Sequence, residues 1–289
     1  MRSEQEMYNL IIRTAQNDAR IRAVILNGSR ANPHAPTDIF QDFDVVYIVR
    51  DLADFRRTPD WIAGFGELMI MQMPNEMGSP PSPDDATIVY LMQFSDGHRI
   101  DLTLHPLARL SELPRDSLSR LLLDKDSCIA PYPPPTESDY LPQLPTAQAF
   151  ADCCNEFWWV CPYVAKGLWR EEITYAKYML DVIVREQLMQ MLTWHIGAQT
   201  GFAENPGKLG KYFRRYLAPE LWVMLERTYA DADYGHTWDA LFATCDLFRK
   251  IAPPLAERFG CAYPHADAQR VYAHLVHVRA LPKTASQMY

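Results

Sequence analysis

Several widespread motifs are missing from this sequence of 289 residues. It contains no GxxxxGK[ST] segment, the phosphate loop of many ATPases and kinases, and no GxGxxG after a predicted strand, the signature of dinucleotide-binding enzymes. The six cysteines form no CxxC pair, and no two histidines stand at the spacing of a zinc site. These absences count against a P-loop enzyme, a dinucleotide enzyme and a zinc module.

Long apolar runs are missing as well. No stretch approaches the ~20 apolar residues that are needed to cross a bilayer. The first residues, MRSEQEMYNLII, are charged and amphipathic, and they lack the apolar core of a signal peptide. We therefore expect a cytoplasmic protein with reduced cysteines and no membrane partner.

Positive charge is scarce, because 28 Lys and Arg face 36 Asp and Glu and give a formal net charge of −8. A nucleic-acid groove needs an excess of positive charge, so we expect no nucleic-acid partner. Most of the negative excess lies in residues 1–130. This balance favours a cationic or neutral ligand.

A proline-rich segment, residues 131–145, separates two parts of different character. Its prolines favour a stiff, extended connector. Strand and helix patterns alternate before it, and only helical patterns follow it. The sequence predicts an α+β protein with two domains: a small mixed sheet with flanking helices over residues 1–135, and an all-α helical domain over residues 136–289.

Hydrophobic periodicity and turn residues place the individual elements. Strands are predicted at 21–26, 43–49, 67–73, 87–94 and 98–105, the last two joined by a hairpin at Asp96-Gly97. Helices are predicted at 3–18, around DWIAGF, at 106–113, at 116–126, from a Thr146 cap onward, and over 170–197.

Three aspartates carry the clearest chemical signal. Asp42 and Asp44 stand two apart at the start of a predicted strand, so strand alternation places both on one face. Such close like charges need a compensating cation, and Mg²⁺ is a natural one. The alternative is that the two aspartates lie in a solvated loop-to-strand junction, which is the more common case for a lone DxD. Asp101 faces away from the apolar residues of its own strand, and it completes a three-carboxylate site if the two strands adjoin. That set suits two-metal phosphoryl or nucleotidyl transfer, and the alternative is a surface ion pair with Arg99.

The tetrapeptide NGSR, residues 27–30, follows the apolar run RAVIL. Asn-Gly often forms a hairpin turn, but the polar segment SRANPHAPTDIFQ provides no partner strand. Gly28 permits close approach to a phosphate, and Ser29 offers a hydroxyl in a turn whose N–H groups can bind anions. Arg30 either contacts a phosphate or pairs with a neighbouring acid.

The order of these features, from the glycine turn through the paired aspartates to the third one, resembles the nucleotidyltransferase superfamily that includes DNA polymerase β. Longer segments resemble the aminoglycoside 6-adenylyltransferases, the streptomycin-modifying enzymes, over nearly the whole chain. These segments are IRAVILNGSRANP, FQDFDVVYIV, FGELMIMQMP, YLMQFSDGHRIDLTL, LLLDKD, DCCNEFWWV, KGLWREEITYAK and MLTWHIG. The resemblance implies transfer of AMP from ATP to a hydroxyl of streptomycin, the 6-position, with release of pyrophosphate and hence antibiotic resistance.

The resemblance also implies roles for residues. Asp42 and Asp44 match the metal-binding pair of the family, and we expect two Mg²⁺ ions, with ATP as co-substrate. Asp101 matches the third carboxylate, which either helps to hold metal or takes the acceptor proton; we favour the base. Gly28 and Ser29 match the turn that binds the triphosphate.

The helical half offers fewer candidates. Lys177 lies in the family-like segment TYAK, where it either reaches the ATP phosphates or pairs with Asp181 one turn later. Asp181 either stays in that pair or meets a guanidinium of streptomycin. Trp158 and Trp159 are interpreted as core or interface residues.

Two other acceptors stay open. Another aminoglycoside would use the same metal site, and nucleotidyltransferases of the antitoxin type modify a partner protein. We expect a monomer.

Overall fold

The computed structural model describes residues 1–77 and 87–289. The chain divides into two compact units, residues 1–139 and residues 140–289, which are called the N-terminal unit and the C-terminal unit below. No helix in the described ranges is both long enough and apolar enough to cross a membrane.

The N-terminal unit is a six-stranded mixed sheet with helices. Its elements are α1 (Glu4–Asn17), β1 (Ile21–Asn27), β2 (Phe43–Val49), α2 (Leu52–Arg57), β3 (Leu68–Gln72), β4 (Ile88–Phe94), β5 (Arg99–Pro106) and β6 (Ser119–Asp124). The strand order is β3-β4-β5-β2-β1-β6, with β2 and β5 parallel and every other pair antiparallel. The sequence prediction of an α+β fold with a mixed sheet is confirmed.

Helix α1 begins as the sequence indicates. The Ser3 hydroxyl accepts from the Glu6 N–H, and the Glu6 carboxylate accepts from the Ser3 N–H, which forms a complete capping box. The apolar face of this helix, with Met7 and Ile11, packs on the sheet.

The prediction of a helix over residues 116–126 is wrong, because this segment contains β6. The run of leucines there has good helix formers, but β6 pairs with β1 and supplies the last strand of the sheet. Ladder hydrogen bonds and the burial of apolar side chains against β1 outweigh a weak local helix preference. Around DWIAGF the chain forms a 3₁₀ helix, Pro59–Phe65, and residues 107–112 form another.

The two faces of the sheet differ. One face carries the main core of the unit, to which β2 contributes Phe43, Val45 and Tyr47. The opposite face carries a smaller apolar cluster that includes Val46 and Ile48. Because side chains alternate along a strand, polar residues in phase with Val46 lie on the more thinly covered face.

The C-terminal unit is helical. Its α-helices are α3 (Ala147–Trp169), α4 (Ile173–Tyr178), α5 (Arg185–Thr200), α6 (Phe213–Tyr216), α7 (Pro219–Glu226), α8 (Tyr234–Phe259) and α9 (His265–Ala280). Thr146 caps α3 as predicted, with its hydroxyl accepting from the Ala149 N–H. The single long helix predicted over residues 170–197 is interrupted, since residues 179–184 between α4 and α5 are π-helical. The rings of Phe157 and Phe248 stack in the core at 3.7 Å.

One buried hydrogen bond ties α1 to β2 and gives a test of the fold. The Tyr47 hydroxyl donates to the Ile11 carbonyl at 2.6 Å. We expect Tyr47→Phe to lower the free energy of unfolding by about 1 kcal/mol, because it removes this bond and little volume. Tyr178→Phe is the matched control, since that ring is largely exposed. Urea denaturation measures both, and equal losses in the two variants would contradict the expectation.

Candidate active site

Strand pairing gathers the three aspartates. β2 and β5 run parallel with Asp44 directly beside Asp101, and Asp42 comes one residue before β2. One carboxylate oxygen of each aspartate lies within 4.8 Å of the others. The prediction that the two strands adjoin and bring these side chains to one place is therefore confirmed.

The crowding changes the titration of Asp44. Its pKa is raised to about 7, chiefly because the side chain is buried, and then because the charges of Asp42 and Asp101 oppose ionisation. Asp116 adds to the rise in pKa, and Arg99 opposes it. The positive groups near the cluster thus do not balance its negative charge.

Arg99 supplies part of the missing positive charge. Its Nε donates to Asp101 Oδ1 and its second amino group donates to Asp101 Oδ2, both at 2.7 Å. Its Nε also lies 3.9 Å from Asp42 Oδ2. The ion pair with Arg99, which the sequence left as an alternative, is thus present. The Arg99 side chain is 44% exposed, so it can move into solvent away from Asp101.

Gly28 is fitted against the same cluster. Its φ is +69°, and a Cβ added there would lie 2.2 Å from Asp44 Oδ2. Its N–H donates to the Leu118 carbonyl at 3.0 Å, so that this N–H already has a partner. Asn27 pairs with Asp44 across β1 and β2, which explains why the following residue meets the carboxylate.

Ser29 and Arg30 complete the turn that begins at Gly28. Residues 28–30 form one turn of 3₁₀ helix, whose first N–H groups have no partner inside a helix. The Arg30 side chain is only 6% exposed and lies over the Phe43 ring. It donates to the carbonyls of Gln41 and Asp42 and pairs with Glu4. These hydrogen bonds fix the segment that leads into β2. A phosphate contact by Arg30 stays a prediction.

Lys177 and Asp181 are partners in the C-terminal unit. Lys177 Nζ lies 2.8 Å from Asp181 Oδ2, and it also donates to the Ala230 carbonyl at 2.6 Å. Arg185 donates to Asp181 Oδ1 at 3.1 Å. Asp181 therefore already has two cations beside it, within a π-helical segment of the kind often found at functional sites.

Two features were missed from the sequence. Asp116, whose charge raises the pKa of Asp44, went unnoticed because its segment was interpreted as a helix. No local signal marked Asp116, because the pairing of β6 with β1 is not visible in the sequence. Trp159, interpreted as core or interface, is 62% exposed, whereas Trp158 is buried as expected.

The residues present fit a divalent cation such as Mg²⁺. Asp42, Asp44 and Asp101 offer the hard carboxylate oxygens that Mg²⁺ prefers, close enough to share an ion. The raised pKa of Asp44 is the sign expected of a carboxylate placed for a cation.

The pKa of Asp44 gives a test of this electrostatic reading. Since the folded-state pKa lies above the model value of 3.8, the metal-free folded protein binds more protons than the unfolded chain between pH 4 and 7, and loses stability as pH rises. With metal chelated, Asp44→Asn should therefore be more stable than the wild type at pH 8, by about 1–3 kcal/mol, and the gain should shrink toward pH 4.

Thermal unfolding in EDTA measures the effect, with the exposed Asp60→Asn as control. Adding Mg²⁺ should stabilise the wild type and leave Asp44→Asn unchanged. A gain for Asp44→Asn that is the same at pH 4 and pH 8 would contradict the assigned pKa.

Comparisons with known proteins identify the family of this chain. The family model described as streptomycin adenylyltransferase matches residues 1–278. A protein of Campylobacter jejuni, named aminoglycoside 6-adenylyltransferase, is 42% identical over 268 residues, which cover 92% of this chain and 93% of the relative. A protein of Bacillus subtilis with the same name is 41% identical over 269 residues, covering 92% of this chain and 95% of the relative.

A solved structure is also similar. It is the crystal structure of an aminoglycoside 6-adenyltransferase from Bacillus subtilis, with 35% identity and a TM-score of 0.48, covering 97% of this chain and 100% of that one. On the family model and the sequence relatives, this chain belongs to the streptomycin adenylyltransferase family.

Proposed function

We propose that this protein transfers AMP from ATP to the 6-hydroxyl of streptomycin, releases pyrophosphate and so confers resistance to the drug. The observation that carries the proposal is the cluster of Asp42, Asp44 and Asp101 on two adjacent strands, with Gly28 closed against it. Family membership and the names of the relatives supply the reaction class, aminoglycoside adenylyl transfer.

Asp42 and Asp44 are proposed to hold two Mg²⁺ ions together with Asp101. When bound, Mg²⁺ neutralises triphosphate charge and stabilises the oxygens that enter and leave the α-phosphorus. The protein holds the three carboxylates close together, and this crowding adds to the rise in the pKa of Asp44 that burial causes.

Asp101 is proposed as the general base. The acceptor hydroxyl attacks the α-phosphorus in line, and its proton passes to a carboxylate oxygen of Asp101. Both oxygens accept from Arg99 in the structure, so Arg99 has to release at least one of them. The pair is bidentate, but the exposed Arg99 guanidinium can be solvated by water once it leaves, which lowers the free-energy cost of the release.

The turn at Gly28 and Ser29 is proposed to bind the triphosphate. The lack of a side chain at Gly28 lets the Asp44 carboxylate lie against the turn, and the Ser29 hydroxyl and the N–H groups that follow Gly28 are suited to phosphate oxygens. Lys177 is a further proposed phosphate ligand and Asp181 a proposed guanidinium ligand. Each would have to exchange its present ion-pair partner for substrate.

The two domains are proposed to have different roles. Residues 1–135 are proposed as the catalytic domain and residues 136–289 as the substrate-binding domain. The acidic excess of the first part suits a cationic drug.

The acceptor is tested with a panel of aminoglycosides. With ATP and Mg²⁺, we expect pyrophosphate release to depend on streptomycin, and the product to gain the mass of AMP at the 6-hydroxyl. Coupled pyrophosphate detection, mass spectrometry and NMR measure this. If another aminoglycoside reacts and streptomycin does not, the proposed substrate is wrong; if none reacts, the proposed activity is wrong.

The carboxylates are tested by isosteric substitution. We expect Asp42→Asn and Asp44→Asn to lower kcat by about 10³-fold or more, because the metal loses its charged ligands. Asp101→Asn should lower kcat by about 10²–10⁴-fold, the usual range for loss of a general base. Circular dichroism should remain native, and Asp60→Asn should keep wild-type turnover. A fully active Asp44→Asn would refute the metal assignment, and a fully active Asp101→Asn would refute the base.

A further inference from the structure

The C-terminal unit contains a large pocket that the proposed catalytic residues do not use. Residues of α3, α9 and the segment 262–264 line it, and its volume is about 860 Å³. Pockets for small molecules measure about 300–1,000 Å³. The size therefore suits a ligand of several rings.

Aromatic rings form much of the wall. Trp158, Trp159, Tyr163 and Tyr263 all line the pocket. The exposed Trp159 ring meets Tyr163 edge-on, with centroids 6.2 Å apart. The ammonium of Lys166, which lines a neighbouring pocket, lies 4.8 Å from the Tyr163 centroid, so the Tyr163 ring already has one cation beside it. Exposed indole faces are the best aromatic surfaces for cations and also pack well on flat rings.

Two polar groups in the wall lack partners. Trp158 Nε1 and Tyr263 Oη are buried without a hydrogen bond, and only Trp61, Asn75 and Arg185 share this condition in the described parts of the chain. The two neighbour each other, but no hydrogen bond of normal geometry joins them. Because both atoms are closed off from solvent and lie beside each other, they belong to the packing of the wall and are not offered to a ligand in the pocket.

The charge of the wall is negative. Asp152 accepts from the Gln148 amide at 2.7 Å and has no ion-pair partner in the described ranges. Asp267 also lines the pocket but pairs with Arg270. Of the two carboxylates in this wall, Asp152 is therefore the one left to bind a cation. It differs in this from Asp181, which is flanked by Lys177 and Arg185.

We propose that this pocket binds the cationic acceptor, with one guanidinium-bearing ring of the aminoglycoside on Trp159 and a guanidinium paired with Asp152. The inference rests on the proposed function for the identity of the ligand. A cationic ligand matches two features of the wall, its aromatic faces and a carboxylate without an ion-pair partner in the described residues.

The test compares four variants by drug binding and by turnover. Trp159→Ala and Asp152→Asn remove the two proposed contacts, and Trp159→Phe keeps an aromatic ring. Glu220→Gln, at an exposed residue of α7, is the charge-matched control. Calorimetric titration with streptomycin, without ATP, gives Kd, and steady-state kinetics give KM for drug and ATP separately.

We expect Trp159→Ala and Asp152→Asn each to raise Kd and KM for streptomycin by at least about fivefold, as loss of a cation–π or charge-assisted contact should. KM for ATP and kcat should stay within about twofold of wild type, since neither side chain belongs to the proposed catalytic cluster. Trp159→Phe should recover most of the affinity, and Glu220→Gln should match the wild type.

The experiment distinguishes an error in the pocket assignment from an error in the proposed function. Wild-type Kd in both Trp159→Ala and Asp152→Asn, or no streptomycin binding by the wild type, would overturn the pocket assignment. If the wild type binds streptomycin through these residues but transfers no AMP, the pocket assignment holds and the proposed function fails.

Discussion

Mutual repulsion among three carboxylates is the constraint on which the rest of the site depends. Asp42, Asp44 and Asp101 have oxygens within 4.8 Å of one another, and the pKa of Asp44 rises to about 7 as a result of burial and this crowding. Such an arrangement costs stability in the free protein and is understandable where a cation completes it. Arg99 moderates the cost without removing it, because it pairs chiefly with Asp101.

The surrounding structure keeps the carboxylates in place. The parallel β2–β5 pairing fixes Asp44 beside Asp101, and the buried guanidinium of Arg30 holds the carbonyls of Gln41 and Asp42. Gly28 closes the other side, since any side chain there would meet the Asp44 carboxylate. The β2–β5 pairing, the buried Arg30 guanidinium and the missing side chain at Gly28 thus together position the carboxylate cluster in the N-terminal unit.

Much of this cluster could be predicted from the sequence because strand alternation is a local rule. It placed Asp42 and Asp44 on one face and set Asp101 apart from the apolar side of its strand. What depends on distant pairing could not be predicted: segment 116–126 has local helix preference, yet β1 recruits it as β6 and brings Asp116 toward Asp44. The partners of Asp181 and the exposure of Trp159 likewise depend on helix packing that no local pattern records.

Direct metal binding tests the central claim that these carboxylates form a cation site. Titration of the protein with Mn²⁺, followed by electron paramagnetic resonance of the free ion, measures affinity without any need for turnover. The account predicts that the wild type binds Mn²⁺ and that Gly28→Ala and Asp44→Asn each lose most of that affinity, with the fold intact by circular dichroism. Equal Mn²⁺ affinity in the wild type and in Asp44→Asn would contradict it.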